Sequence, residues 1–278
     1  MSLQFTSIRS GFVTACAGVW RTWLTAAPGA REAQFRAAIQ SMTSFMVTPT
    51  VQFANTGGWG SFNWVQWTLR VNRKYTALTG IRYADFVEVC STIYHETRHA
   101  EQFYRIAQGL AAGTLQFPDS SPAGNVQAMQ AGGSSVRARI AMFESASRGQ
   151  NPLQADAASR VRVIAQRLDI PENVARHADT HRDYFANYLA SSRPAWFKRA
   201  TILDEVNEWM RATYKKTYSE LDTWAQGPDG PYRVYRDLPE ENDAHGIEDL
   251  VQAELFQRIG LDTPANRSKR RNDPVFGP

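Results

Sequence analysis

The chain has 278 residues, with 31 Lys and Arg against 27 Asp and Glu, a formal net charge of +4. At 43% hydrophobic and 21% charged it has an ordinary globular composition, enough to bury a sizeable core in one large or two small domains. Two cysteines, Cys16 and Cys90, exclude a disulfide framework and a Cys-rich metal site, and no apolar run approaches the ~20 residues that span a bilayer. Apart from Lys269, Arg270 and Arg271 the basic residues are scattered, which falls short of the stripe that nucleic-acid binders carry.

In chain order, Arg9 followed by Gly11–Trp20 has a faint look of a secretory leader. Arg21 and the bulky Trp20 and Trp23 argue against one, and the expectation is a chain made without it. Helical spacing of Phe35, Ala38, Ile39, Met42 and Met46 predicts a helix over Ala30–Met46. Between Val47 and Tyr75 the character changes. An Asn55-Thr56-Gly57-Gly58 turn signal precedes an aromatic and β-branched run from Phe62 to Val71, which predicts a hairpin or small antiparallel sheet. Apolar residues at three- and four-residue intervals from Phe86 to Leu110 predict one long helix over Tyr83–Ala112. Gly113–Asn125 reads as a loop. Helices are then expected near Val126–Arg148, Leu153–Leu168, Glu172–Ala190 and Ala195–Trp224, separated by Pro152, Pro171 and Pro194. A last helix is expected from Pro239 to about Ile259, with Asp237 as N-cap.

The long helix contains His95-Glu96-Thr97-Arg98-His99, an H-E-x-x-H pattern. At 100° per residue the two histidines lie one turn apart on one face, so two imidazole nitrogens can converge on one metal ion. Glu96 is offset around the helix, beside the place of a metal-activated water, and is the natural general base. Glu88, Thr92, His95, His99 and Gln102 form one polar stripe along this helix. The bland alternative is a pair of solvated surface histidines.

Catalytic zinc takes a third protein ligand. No His follows within ten residues of His99. The stretch from Tyr235 to Ala244 is the richest source, and Glu241, His245, Glu248 and Gln252 share a polar face there. Glu241, Glu240 and His245 are the candidates; the acids can equally sit there for the helix dipole alone. His245 can also serve as a support to a ligand or as a donor to an oxyanion, a role open to Tyr232 and Tyr235 as well. His177 and His181 form a second His-x-x-x-His pair. That spacing arises easily by chance, and Asp179 and Asp183 nearby point to a solvated face. Cys90 reads as a small core residue.

His95–His99, followed by Ala100-Glu101-Gln102, resembles the active-site helix of zincin metallopeptidases, and Pro239-x-Glu241-x-x-Ala244 is similar to the ligand helix of gluzincin-type bacterial domains. The pairing resembles the domains of bacterial toxins and contractile-injection-system effectors. The residue pattern gives an expected α+β, mainly α fold with a small antiparallel sheet, and the resemblance implies zinc held by His95, His99 and Glu241 with Glu96 as base. It also implies a sheet edge, here Trp64–Val71, that pairs with an extended peptide. On this reading residues 1–125 form the zincin-like part, 126–225 a helical insertion or covering subdomain, 226–262 the third-ligand helix, and 263–278 a basic tail. The expected activity is zinc-dependent peptide-bond hydrolysis on a protein or peptide substrate. A secretion or injection apparatus would be the partner, with bacterial cytoplasm before delivery and secretion or injection after it. Without delivery the chain would be cytoplasmic. Two other classes compete. Glu96-x-x-His99 is the unit used by di-iron helical proteins, but a second Glu-x-x-His unit is missing. The helical stretch Val126–Trp224 can instead belong to a non-enzymatic binding module.

Overall fold

A computed structural model describes residues 2–115, 156–191, 201–215 and 238–260, with side chains of 211–215 excepted. The fold is mainly helical, with one small sheet. The helices and strands, in chain order, are α1 (Thr6–Thr22), α2 (Pro28–Met42), β1 (Thr50–Ala54), β2 (Gly60–Asn63), β3 (Thr68–Asn72), α3 (Arg73–Thr76), α4 (Tyr83–Ala112), α5 (Ala157–Leu168), α6 (Glu172–Thr180), α7 (Tyr184–Leu189), α8 (Ile202–Lys215) and α9 (Pro239–Arg258). The chain forms two compact units: residues 1–63, 68–98 and 246–278, and residues 64–67 and 99–245.

In the first unit, Phe12, Val13, Cys16 and Val19 of α1 enter a core with Phe35 and Ile39 of α2, Leu69 and Val71 of β3, Phe86, Cys90 and Ile93 of α4, and Val251 and Leu255 of α9. The apolar N-terminal run is thus core-building helix. Tyr94 Oη donates to the Leu3 carbonyl at 2.6 Å and ties the start of the chain to α4. Cys90 lies fully buried in the core, as its neighbours in the pattern require.

The expected hairpin is present, β2 against β3, but the sheet as a whole is mixed and not antiparallel throughout. Its order is β1-β3-β2. β3 pairs antiparallel with β2, Gly60 opposite Val71, and parallel with β1, Thr50 opposite Thr68. The aromatic run is not one strand, because Trp64–Trp67 makes a turn that ends β2 and starts β3. Trp67 there adopts φ 50°, a left-handed conformation rare outside glycine, while its ring is buried. Trp64–Val71 is therefore not a sheet edge: β3 is the central strand, and the edges are β1 and β2. The Asn55–Gly58 bend is held by Asn72, whose Nδ2 donates to the carbonyls of Thr56 and Gly58 at 3.0 and 2.7 Å.

α4 runs over the expected Tyr83–Ala112 and stops at Gly113, which takes φ 73° as helix ends often require. In the second unit, α5 is capped by Asp156, which accepts from the Ser159 amide at 3.0 Å. Asp179 of α6 pairs with Arg160 of α5 through Nε–Oδ1 at 2.5 Å and Nη2–Oδ2 at 3.1 Å. The expected single helix 172–190 is two. α6 ends at Thr180, where the His181 Nδ1–H bonds the His177 carbonyl and the Thr180 hydroxyl the Arg176 carbonyl, local bonds that compete with continuing the helix. Pro171 stands at the N-cap of α6. α8 opens on a reciprocal cap: the Thr201 amide donates to the Asp204 carboxylate at 2.8 Å, and the Asp204 amide to the Thr201 hydroxyl at 3.1 Å. The expected helix 126–148, Pro152, Pro194, Asp237, Tyr232 and Tyr235, and the tail 263–278 lie outside the described residues. Among the described residues, no helix is long and apolar enough to cross a membrane.

Candidate metal centre

α4 and α9 carry the described candidates for the centre built on the H-E-x-x-H pattern. In the first unit the helices run antiparallel: Gln252 reaches Glu88 and Ser91, and Glu248 reaches Ser91 and His95. The polar stripe of α4 thus packs on the polar face of α9 instead of facing water. That removes the solvated-surface reading of the histidines: the side chains of His95 and His99 are 8% and 11% exposed.

His95 Nδ1 lies 3.1 Å from Glu248 Oε2. The other carboxylate oxygen, Oε1, accepts from Ser91 Oγ at 3.2 Å, so Glu248 is itself fixed. His99 Nδ1 lies 2.8 Å from Gln102 Oε1. Gln102 is fixed in turn, its Nε2 donating to the Glu240 carbonyl at 2.8 Å and to Asp243 Oδ2 at 2.7 Å. Each imidazole is therefore held at Nδ1 by an oxygen, the arrangement that orients metal-ligating histidines and leaves Nε2 for the ion. His99 Nε2 lies 3.2 Å from Glu241 Oε2, and that carboxylate is 2% exposed. One nitrogen each from His95 and His99 and one oxygen of Glu241 all lie within 4.8 Å of one another. A ligand N–Zn distance is ~2.0–2.1 Å, so a donor set of this size fits the ion.

Among the three candidates for the third ligand, Glu241 is the one brought to the histidine pair. Glu240 contributes its main-chain carbonyl, to Gln102. His245 falls in a second grouping, with His95 and Glu248, that overlaps the first at His95. Sequence reasoning placed Glu248 on the right face but missed its role, and missed that of Gln102. The signal was present: Glu241 and Glu248 are two turns apart on α9, a spacing that lets one helix serve two histidines one turn apart on another.

Glu96 is half-buried, on the side of α4 that meets β2. At Gly60 the strand comes so near that a Cβ there would stand 2.9 Å from Thr92 Cγ2 and 3.7 Å from Glu96 Cγ. Only a residue without a side chain lets β2 approach this turn of the helix. Glu88, further back on α4, has its pKa pushed up to about 8, first by burial and then by the Glu248 carboxylate, with Asp85 adding and His95 opposing. Comparisons with protein-family models, with curated proteins and with solved structures find no match.

Proposed function

We propose that the chain is a zinc-dependent metallopeptidase in which His95, His99 and Glu241 form the ligand set and Glu96 is the general base. The observation that carries this reading is how the two imidazoles are held. Glu248 and Gln102 grip the Nδ1 atoms, and Glu241 stands 3.2 Å from the Nε2 of His99. Two neutral imidazoles and one carboxylate match the three-ligand set of catalytic zinc, which leaves a position for water or substrate. A bound zinc ion would supply a water of pKa about 7 and polarise a substrate carbonyl. Glu96, adjacent to His95 but offset around the helix, accepts the proton of the attacking water and delivers it to the departing amine nitrogen. Such general acid–base work contributes about 10²–10⁴-fold in rate. β2 is an edge strand that approaches Glu96 at Gly60, so an extended peptide lying alongside it would run past this carboxylate. His245, half-buried one turn beyond Glu241 and grouped with His95 and Glu248, is the residue assigned to donate to the oxyanion of the tetrahedral intermediate.

The test pairs metal content with hydrolysis of a degenerate library of internally quenched peptides. The wild-type chain is expected to bind one zinc tightly and to cleave part of the library. Glu96→Gln is expected to keep the zinc and lose at least 100-fold in rate. His99→Ala and Glu241→Ala are expected to lose the zinc. A wild-type chain that takes up no zinc, or a Glu96→Gln chain as active as wild type, overturns the reading.

A further inference from the structure

The second histidine pair lies wholly within the unit that contains α5 to α8 and has its own cavity. His177 is in the last turn of α6 and His181 is its C-cap residue. Their ring centroids are 4.1 Å apart and their planes 28°. Both rings line a cavity of about 390 Å³, together with Asn173, Arg176 and Thr180.

The spacing alone would mean little. What adds to it is how each ring is anchored. His181 Nδ1 lies 2.8 Å from the His177 carbonyl. A carbonyl only accepts, so Nδ1 carries the proton and the lone pair of a neutral His181 is on Nε2. His177 Nδ1 lies 2.8 Å from Tyr104 Oη, a phenol oxygen able to accept the Nδ1 proton. Tyr104 is also met by Gln108 Nε2 at 3.4 Å, and Gln108 reaches the His181 carbonyl at 2.9 Å, so one pair of side chains on α4 braces both histidines. His181 therefore offers its Nε2 lone pair, and His177 offers its own in the tautomer that donates Nδ1–H to Tyr104.

We infer that His177 and His181 form a second divalent-metal site, a two-imidazole chelate for a transition-metal ion such as Ni2+, Cu2+ or Zn2+, its remaining positions filled by solvent in the cavity. Imidazole nitrogens suit these ions, and two nitrogens bound to one of them sit ~3 Å apart, a separation that rings stacked at this distance can reach. The cation lining the cavity, Arg176, is paired with Glu172 at 2.6 Å, which offsets its repulsion of a metal. Burial and the neighbouring His181 both lower the pKa of His177, which favours the neutral ring a metal needs. This site uses none of the residues of the proposed catalytic centre.

The experiment is calorimetric titration of the metal-stripped full chain with Ni2+. The wild type is expected to show two classes of site, the second at least tenfold weaker. His177→Gln/His181→Gln should abolish the weaker class and leave the tighter one. His95→Gln/His99→Gln should do the reverse, which separates failure of this inference from failure of the peptidase reading. A His177→Gln/His181→Gln chain with an unchanged isotherm overturns the proposal. Should that variant not fold, the wild type is treated with diethyl pyrocarbonate with and without Ni2+ in the presence of a peptide map. Protection of His177 and His181 by the metal supports the site, and equal modification with and without it overturns it.

Discussion

Glu248 offers the sharpest test of how the centre is built. Its Oε2 stands 3.1 Å from His95 Nδ1 and its Oε1 is fixed by Ser91, in a setting where the two side chains are 8% and 12% exposed. Glu248→Ala removes the charge that orients the ring and leaves a buried N–H without its acceptor. Loss of such a support costs about 10–100-fold in metal affinity, which is roughly 1.4–2.7 kcal/mol. Glu248→Gln keeps an oxygen for the Nδ1 proton but loses the charge, and charge-assisted bonds are about twice as strong as neutral ones. Its loss should therefore be about half as large in free energy. Glu241→Ala removes a ligand and should cost more than either. The assay is zinc competition against a chromophoric chelator near pH 7.5, with circular dichroism to confirm the helices. The ranking Glu241→Ala, then Glu248→Ala, then Glu248→Gln is the expected result. If Glu248→Ala binds zinc as tightly as wild type, Nδ1 anchoring does not matter. If Glu248→Ala and His245→Ala abolish binding while Glu241→Ala does not, the ion sits in the overlapping His95, His245 and Glu248 group instead.

Other consequences follow from the same packing. Glu88 has a folded pKa of about 8 against an ordinary 4.5, so between these values the folded state holds a proton that the unfolded state releases. Stability of the metal-stripped chain should fall as pH rises through this window, by on the order of 2–4 kcal/mol in total; Glu88→Gln should flatten that slope in urea titrations from pH 5 to 9, and an unchanged slope would refute the assignment. Gly60→Ala places a Cβ 2.9 Å from both the Arg70 carbonyl and Thr92 Cγ2; it should cost about 1–3 kcal/mol and lower peptide hydrolysis, and wild-type values for both would show that the strand has room to spare. Asp179→Ala strands the buried Arg160, and breaking such a pair costs about 3–5 kcal/mol; hydrogen exchange over 157–180 should accelerate strongly, and unchanged protection would count against a structural role.

Much of the centre was legible in the sequence because helical periodicity is local. Tyr83–Ala112 carries three- and four-residue spacing throughout, and its bounds follow from it. Pro239 and the acidic first turn likewise announce α9. The sheet was harder. A strand pattern says which residues are extended but not which partner they choose, and the left-handed backbone of Trp67, which splits the aromatic run, has no signal in a residue type that avoids it. The break between α6 and α7 was hidden for a related reason. It arises from side-chain bonds of Thr180 and His181 to carbonyls one turn back, which a pattern of apolar residues does not register. At the candidate centre, the histidines were readable from spacing alone. The choice of Glu241 over Glu240 was not, since neighbours on a helix differ by 100° and only packing decides which of them faces α4.

The donors on α4 and the acid on α9 are far apart along the polypeptide: 241 − 99 = 142 residues. During synthesis the histidines leave the ribosome many seconds before Glu241 exists, since chains grow at about 5–20 residues per second. A nascent or truncated copy that lacks α9 would hold two of the three proposed ligands. Under the proposed function, this timing is a built-in safeguard: the cell makes a hydrolase that stays inert until α9 docks.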